Sequence, residues 1–189
     1  MTQNCDHHSL NQTTPENAAC PTRITGVSAL ITPDLLARLK NEYLIDWNGL
    51  HGFSHWCRVR ENGLFLAEEN GANKKVVEYF AFFHDNQRWN DGIDPDHGRR
   101  VSQLIRSKFV ALLDLTHEEL DLLCQACDDH NDGQTEADIT IQTCWDADRL
   151  DLLRAGIQPD PQFLCTREAR RPETIRWATE RSLEWTRRG

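Results

Sequence analysis

Phe80-Ala81-Phe82-Phe83-His84-Asp85-Asn86-Gln87-Arg88 is the stretch on which the reading of this chain turns. An apolar run ends in an adjacent imidazole and carboxylate, and a guanidinium follows three residues later. An apolar setting lowers the local dielectric and strengthens charge interactions placed in it. Neutral imidazole with carboxylate suits Zn, Mn, Fe or Ni better than Ca, which prefers all-oxygen sites. Alone, the dipeptide reads as an ordinary surface pair, so its meaning depends on partners elsewhere in the chain.

Upstream, Asn70-Gly71-Ala72 is a break, and a helix from about Asn73 carries Val76, Val77, Phe80 and Phe83 on one face. His84 and Asp85 therefore fall at a buried helix C-terminus. The preceding helix enters through Trp47-Asn48-Gly49-Leu50-His51-Gly52-Phe53-Ser54-His55-Trp56-Cys57-Arg58-Val59 and runs to about Glu69. His51 and His55 are four apart and would share a helix face, but Gly52 favours His55 alone inside the helix. Each also reads as a hydrogen-bonded structural histidine. The first helix starts at Thr32-Pro33-Asp34, where Thr suits the N-cap, Pro the first helical position and Asp the first turn.

Downstream, Trp89 to Asp96 has turn chemistry. His97-Gly98 opens a helix carrying Val101, Leu104, Ile105, Phe109 and Leu112. A helix start favours anions, so His97 is either a phosphate-facing group or a loop histidine. Thr116-His117-Glu118-Glu119 is a capping box, and its helix runs to an exit at His130. Cys124 and Cys127 form a CxxC inside an apolar helix, which reads as core packing ahead of zinc or redox use. Residues 137 to 156 read as a helix ended by Gly156. Its Asp146, Asp148 and Asp151 are expensive to bury unless paired or metal-bound. Asp146 and Asp148 are two apart and cannot face the same way. One is left to ligate while the other meets Arg149, Arg154 or an imidazole. After a Pro-rich loop, one or two amphipathic helices follow from Thr166.

The expected fold class is all-α. Residues 1–26, polar and containing Cys5, His7 and His8, read as a flexible tail, and 27–189 as a single helical domain with extra C-terminal helices. The chain has 189 residues, 39% of them hydrophobic, which suffices for one core. A formal charge of -9 argues against a nucleic-acid polymer as partner, since that needs clustered Lys and Arg. A small phosphate ester remains compatible if a metal supplies positive charge. No apolar run approaches the roughly 18 residues of a membrane span. The seven cysteines and the lack of a signal-peptide pattern point to a reducing, cytoplasmic setting.

His55, His84-Asp85 and Asp148 together resemble the H…HD…D pattern of the HD-domain superfamily of metal-dependent phosphohydrolases. His55-Trp56-Cys57-Arg58-Val59 is similar to its first-histidine motif, His-x-x-Arg-Val. Asp146-Ala147-Asp148-Arg149-Leu150 is similar to its final-aspartate motif. Arg88 stands where many members carry Lys. The resemblance covers roughly residues 45 to 157 and is not specific for a substrate. It implies a compact all-helical core with His55, His84, Asp85 and Asp148 as metal ligands. It leaves one or two divalent ions open, among Mn, Fe, Ni, Co and Zn, with Mg a further candidate. His97 and His130 loosely match positions that hold a second metal or the substrate in some members. Under this resemblance Arg88, with Arg149 or His97, would neutralise phosphate. His130 or Asp146 would orient water or protonate the leaving oxygen. The implied substrate is a small phosphorylated molecule such as a nucleotide. A non-catalytic metal- or nucleotide-binding regulator and a di-iron oxygenase are the competing readings.

Overall fold

The computed structural model describes residues 29–186. The tail expected over 1–26, with Cys5, His7 and His8, lies outside the described residues. The described residues form seven α-helices: α1 Pro33–Glu42, α2 Phe53–Asn70, α3 Lys74–Phe83, α4 His97–Leu104, α5 His117–Asp129, α6 Ile139–Arg149 and α7 Pro172–Thr186. The expected all-α class is observed. No helix among the described residues is long and apolar enough to cross a membrane.

The helix starts follow from local chemistry. Thr32 Oγ1 accepts from the Leu35 amide, with Pro33 opening α1. Asn73 caps α3 through the Lys75 and Val76 amides. Thr116 and Glu119 complete the capping box of α5, and Asp138 caps α6. Such caps are each worth about 0.5–2 kcal/mol.

The core is built around α3, whose residues Val76 to Phe83 are all buried. It lies against α2, α5 and α6, while α4 packs on α5. Gly63 lets α2 approach closely: a Cβ there would stand 2.5 Å from Val77 Cγ1 and 3.3 Å from Ala147 Cβ. Trp56 and Trp145 fill the interior, and Trp145 Nε1 donates to Ala126 O at 3.0 Å. A smaller apolar cluster of Leu66, Leu150, Leu164, Ala169 and Ala178 seats α7. Cys124 and Cys127 are buried free thiols in the core.

Two expected helices end early. The one expected to reach Leu112 stops at Leu104 and continues as a π-helical turn over Ile105–Phe109. There Ser107 Oγ donates to Gln103 O and Leu104 O, competing for backbone acceptors. The helix expected to reach Gly156 stops at Arg149, and a 3₁₀ turn over Leu152–Ala155 follows. That change of pitch matters at the site.

Candidate metal centre

His55 lies in the first turn of α2, His84 is the C-terminal cap of α3, and Asp148 lies in the last turn of α6. Packing of these three helices brings them together. His55 Nε2 and His84 Nε2 are 3.0 Å apart. Asp148 Oδ1 lies 3.3 Å from the first and 3.8 Å from the second. Asp85 Oδ2 is 3.5 Å from both.

A second cluster adjoins the first through the other oxygen of Asp85. Asp85 Oδ1 is 3.0 Å from His97 Nε2 and 3.8 Å from His130 Nε2, and the two nitrogens are 2.8 Å apart. His97 opens α4 and His130 caps α5, so this cluster forms where one helix begins beside another's end. Gly98 permits that approach, since a Cβ there would stand 2.1 Å from Cys127 O.

The far nitrogens of all four imidazoles are tied to acceptors. His84 Nδ1 donates to Phe80 O and Ala81 O, both at 3.2 Å. His97 Nδ1 donates to Asp94 O at 2.5 Å and His130 Nδ1 to Cys127 O at 2.7 Å. His55 Nδ1 donates to Asp151 Oδ2 at 2.8 Å. Carbonyl and carboxylate oxygens only accept, so each Nδ1 carries the hydrogen and each neutral ring points an Nε2 lone pair inward. Lone pairs facing at 3.0 and 2.8 Å repel unless a proton or cation lies between them.

The electrostatics agree. Burial and the Arg154 guanidinium push His55 down, but Asp148, Asp151 and Asp85 outweigh them and raise it to about 9. Burial pushes His84 down to about 3, with His55 and His130 acting in the same direction. Against the burial that would raise them, His84 and the other imidazoles hold Asp85, and His55 with Arg154 holds Asp148, well below the carboxylate range. A proton on His55 is thus the metal-free solution for the first gap, and a divalent ion is a stronger one.

The residues fit such an ion. Asp148 Oδ1 is buried with no hydrogen-bond donor among the described residues. Ligands about 2.1 Å from a metal stand roughly 3.0–3.4 Å apart along octahedral or tetrahedral edges. The separations of 3.0 and 3.3 Å from His55 Nε2 to His84 and Asp148 sit at that spacing, while Asp85 at 3.5 Å and the His84–Asp148 gap of 3.8 Å are slightly wider. The two candidate groups are His55, His84 and Asp148, then Asp85, His97 and His130.

Each site carboxylate has an arginine nearby. Arg88 Nη1 lies 3.4 Å from Asp85 Oδ1, and Arg154 Nη2 lies 3.6 Å from Asp148 Oδ1. Arg58 makes a bidentate pair with Asp151 at 2.7 and 2.9 Å. Ser182 Oγ of α7 donates to the same carboxylate. Asp151 therefore fixes His55 from behind the cluster.

Other expected site residues fall elsewhere. Arg149 donates to Phe163 O, Cys165 Sγ and Gln134 O, and not to either cluster. The break in helical pitch after Arg149 brings Arg154 back instead. Asp146 is fully buried and accepts from the Cys165 and Thr166 amides and from Thr166 Oγ1, away from the imidazoles. Arg88 also donates to Asn90 O and Gly92 O, so it holds the loop after α3 as well as facing Asp85. His51 lies outside α2, with Nδ1 hydrogen-bonded to Asp91 at 2.9 Å.

The described residues form an all-helical domain with two buried His/Asp clusters of metal-ligand type. No family model matches the chain, and no curated protein or solved structure matches it.

Proposed function

We propose that this chain is an HD-type, metal-dependent phosphohydrolase acting on a nucleotide or another small phosphate ester. The observation that carries the reading is the convergence of four Nε2 lone pairs on the two oxygens of one carboxylate, Asp85. In this reading His55, His84, Asp85 and Asp148 hold one divalent ion, and Asp85, His97 and His130 hold a second. Mn, Fe, Co, Ni and Zn suit the mixed nitrogen and oxygen donors. Such ions lower the pKa of a bound water and polarise a phosphoryl oxygen.

The protein's own groups then position the ester. The chain is acidic, with a net charge of -9, and Arg88 and Arg154 set positive charge beside the two carboxylates of the clusters. Positioning and charge stabilisation are what phosphoryl transfer mainly needs. His51 is the group we assign to orienting the attacking water, because burial pushes it below its ordinary range and the neutral ring, held at Nδ1 by Asp91, offers Nε2 as an acceptor. Asp91 holds its Nδ1, its ring lies 6.4 Å from that of His55, and Asp91 reaches solvent at the rim. His130, with both nitrogens engaged, is better suited to a ligand than to an acid. A reducing, cytoplasmic setting accords with the free thiols among the described residues.

The same observation also favours a second reading, a di-iron oxygenase of HD type, because two adjacent metal positions serve either chemistry. Metal analysis combined with a screen of nucleotides and a generic phosphodiester separates them. We expect metal-dependent hydrolysis of at least one ester, read as released phosphate from a monoester or as the freed alcohol from the diester. Two irons with oxygen consumption and no hydrolysis would overturn the phosphohydrolase reading.

A further inference from the structure

The C-terminal helix α7 reaches the first cluster by two separate routes. Ser182 is buried, and its Oγ donates to Asp151 Oδ1, while Asp151 Oδ2 accepts from His55 Nδ1 at 2.8 Å. From the preceding residue of the same helix, Arg181 Nη1 donates to Asn62 Oδ1 at 2.8 Å. Asn62 is itself buried, and its Nδ2 donates at 3.0 Å to Ala147 O, the peptide carbonyl that leads into Asp148. One route therefore ends behind an imidazole of the first cluster and the other behind its unshared carboxylate. Arg181 also lies over the Trp177 ring at 4.4 Å, and Trp177 packs on Phe65 of α2 at 4.7 Å.

The second cluster is held differently. His97 and His130 are backed by Asp94 O and Cys127 O, neither of them on α7. α7 packs on α2 and on the 3₁₀ turn after α6, the segments that carry His55 and follow Asp148. Its apolar seat is Ala178, buried among Leu66, Leu150, Leu164 and Ala169, with Ile175 and Trp177 partly buried beside it. An element with a small apolar seat opens more readily than the core and depends more on its polar contacts. Here those contacts are with residues that stand behind ligand-type side chains. An ion on His55 and Asp148 would fix both side chains and, through them, Asp151 and the Ala147 carbonyl. The groups that α7 and Asn62 bind would then be held in place before α7 docks, so each event would favour the other by the same factor.

We propose that α7 is a latch on the first metal site. Its docking through Arg181 and Ser182 and the binding of a divalent cation at His55, His84 and Asp148 favour each other, and the second site is indifferent to it. The inference rests on the metal-binding part of the reading above and on no particular reaction. Full-length wild-type, Ala178→Asp and Ser182→Ala proteins are titrated with Mn(II), and the affinity of each ion is read by chelator competition. Hydrogen exchange of the α7 amides is followed before and after each equivalent. Ala178→Asp puts a carboxylate into the apolar seat and undocks α7 without touching either route. Ser182→Ala removes one donor and keeps the seat.

We expect Ala178→Asp to bind the first ion about tenfold more weakly, equivalent to about 1.4 kcal/mol, with the second ion unchanged. Ser182→Ala should weaken the first ion by a smaller factor and speed α7 exchange. In the wild type the first equivalent should slow α7 exchange about tenfold and the second should add nothing. Should Ala178→Asp fail to fold, the wild-type exchange and Ser182→Ala decide. First-ion affinity kept in the variants, equal weakening of both ions, α7 exchange indifferent to metal, or no metal bound by the wild type overturns the inference. If the coupling is found but no ester is hydrolysed, the inference stands and the phosphohydrolase reading falls.

Discussion

The two clusters share Asp85 but are built differently. The first is set by three packed helices, and its His55 is backed by a carboxylate, Asp151, that is itself saturated by Arg58 and Ser182. The second is set by helix ends, and both of its histidines are backed by backbone carbonyls, Asp94 O and Cys127 O. A carboxylate behind a histidine raises its basicity as a ligand more than a neutral carbonyl does. The first cluster also has Asp148, whereas the second has only the shared carboxylate. Two adjacent sites with similar donors can thus differ in affinity through what stands behind those donors. We expect the first to fill before the second.

The largest effect should come from breaking both sites at once. Asp85→Ala should lose both metals, and activity should fall further than the roughly 10–100-fold that loss of an outer partner costs. Metal analysis of the purified variant checks this, and retention of a metal-dependent hydrolase would break the shared-carboxylate account.

Gly98→Ala should separate the sites. The added methyl meets the Cys127 carbonyl, so α4 and α5 must move apart and His97 must leave His130. Overpacking of this kind costs about 1–3 kcal/mol. Thermal melting should show that loss, with the second metal absent and the first retained.

The smallest effect is graded. Asp151→Asn keeps the shape but removes the charge behind His55, and metal affinity at the first site should fall roughly 10–100-fold. The second site should be unaffected. Competition with a metallochromic chelator gives both affinities, and equal weakening at both sites would show that Asp151 acts on the fold rather than on His55.

Much of this was legible in the sequence for local reasons. Caps at Thr32, Asn73 and Thr116 announce helices through side chains within three residues of the amides they satisfy. The adjacency of His84 and Asp85, after a run in which every residue is buried, placed the pair at a helix end inside the core. The choice between His51 and His55 was legible from Gly52, and His51 does precede α2. What was not legible depends on where α6 ends. Arg149 and Arg154 are equivalent as sequence, yet the 3₁₀ turn over Leu152–Ala155 sends one to the Phe163 loop and the other to Asp148. The role of Asp151 depends on the same turn, because its partners His55, Arg58 and Ser182 come from two other helices. Spacing can exclude a shared face for Asp146 and Asp148, but only packing shows which one meets the imidazoles.

On this reading Asp85 would join two metal sites of unequal strength. Its most direct test is titration of metal-free protein with Mn(II), with bound metal counted by elemental analysis in the wild type and in His130→Ala. The account predicts two ions per chain filling in sequence in the wild type and one in the variant. A single ion in both proteins would contradict it.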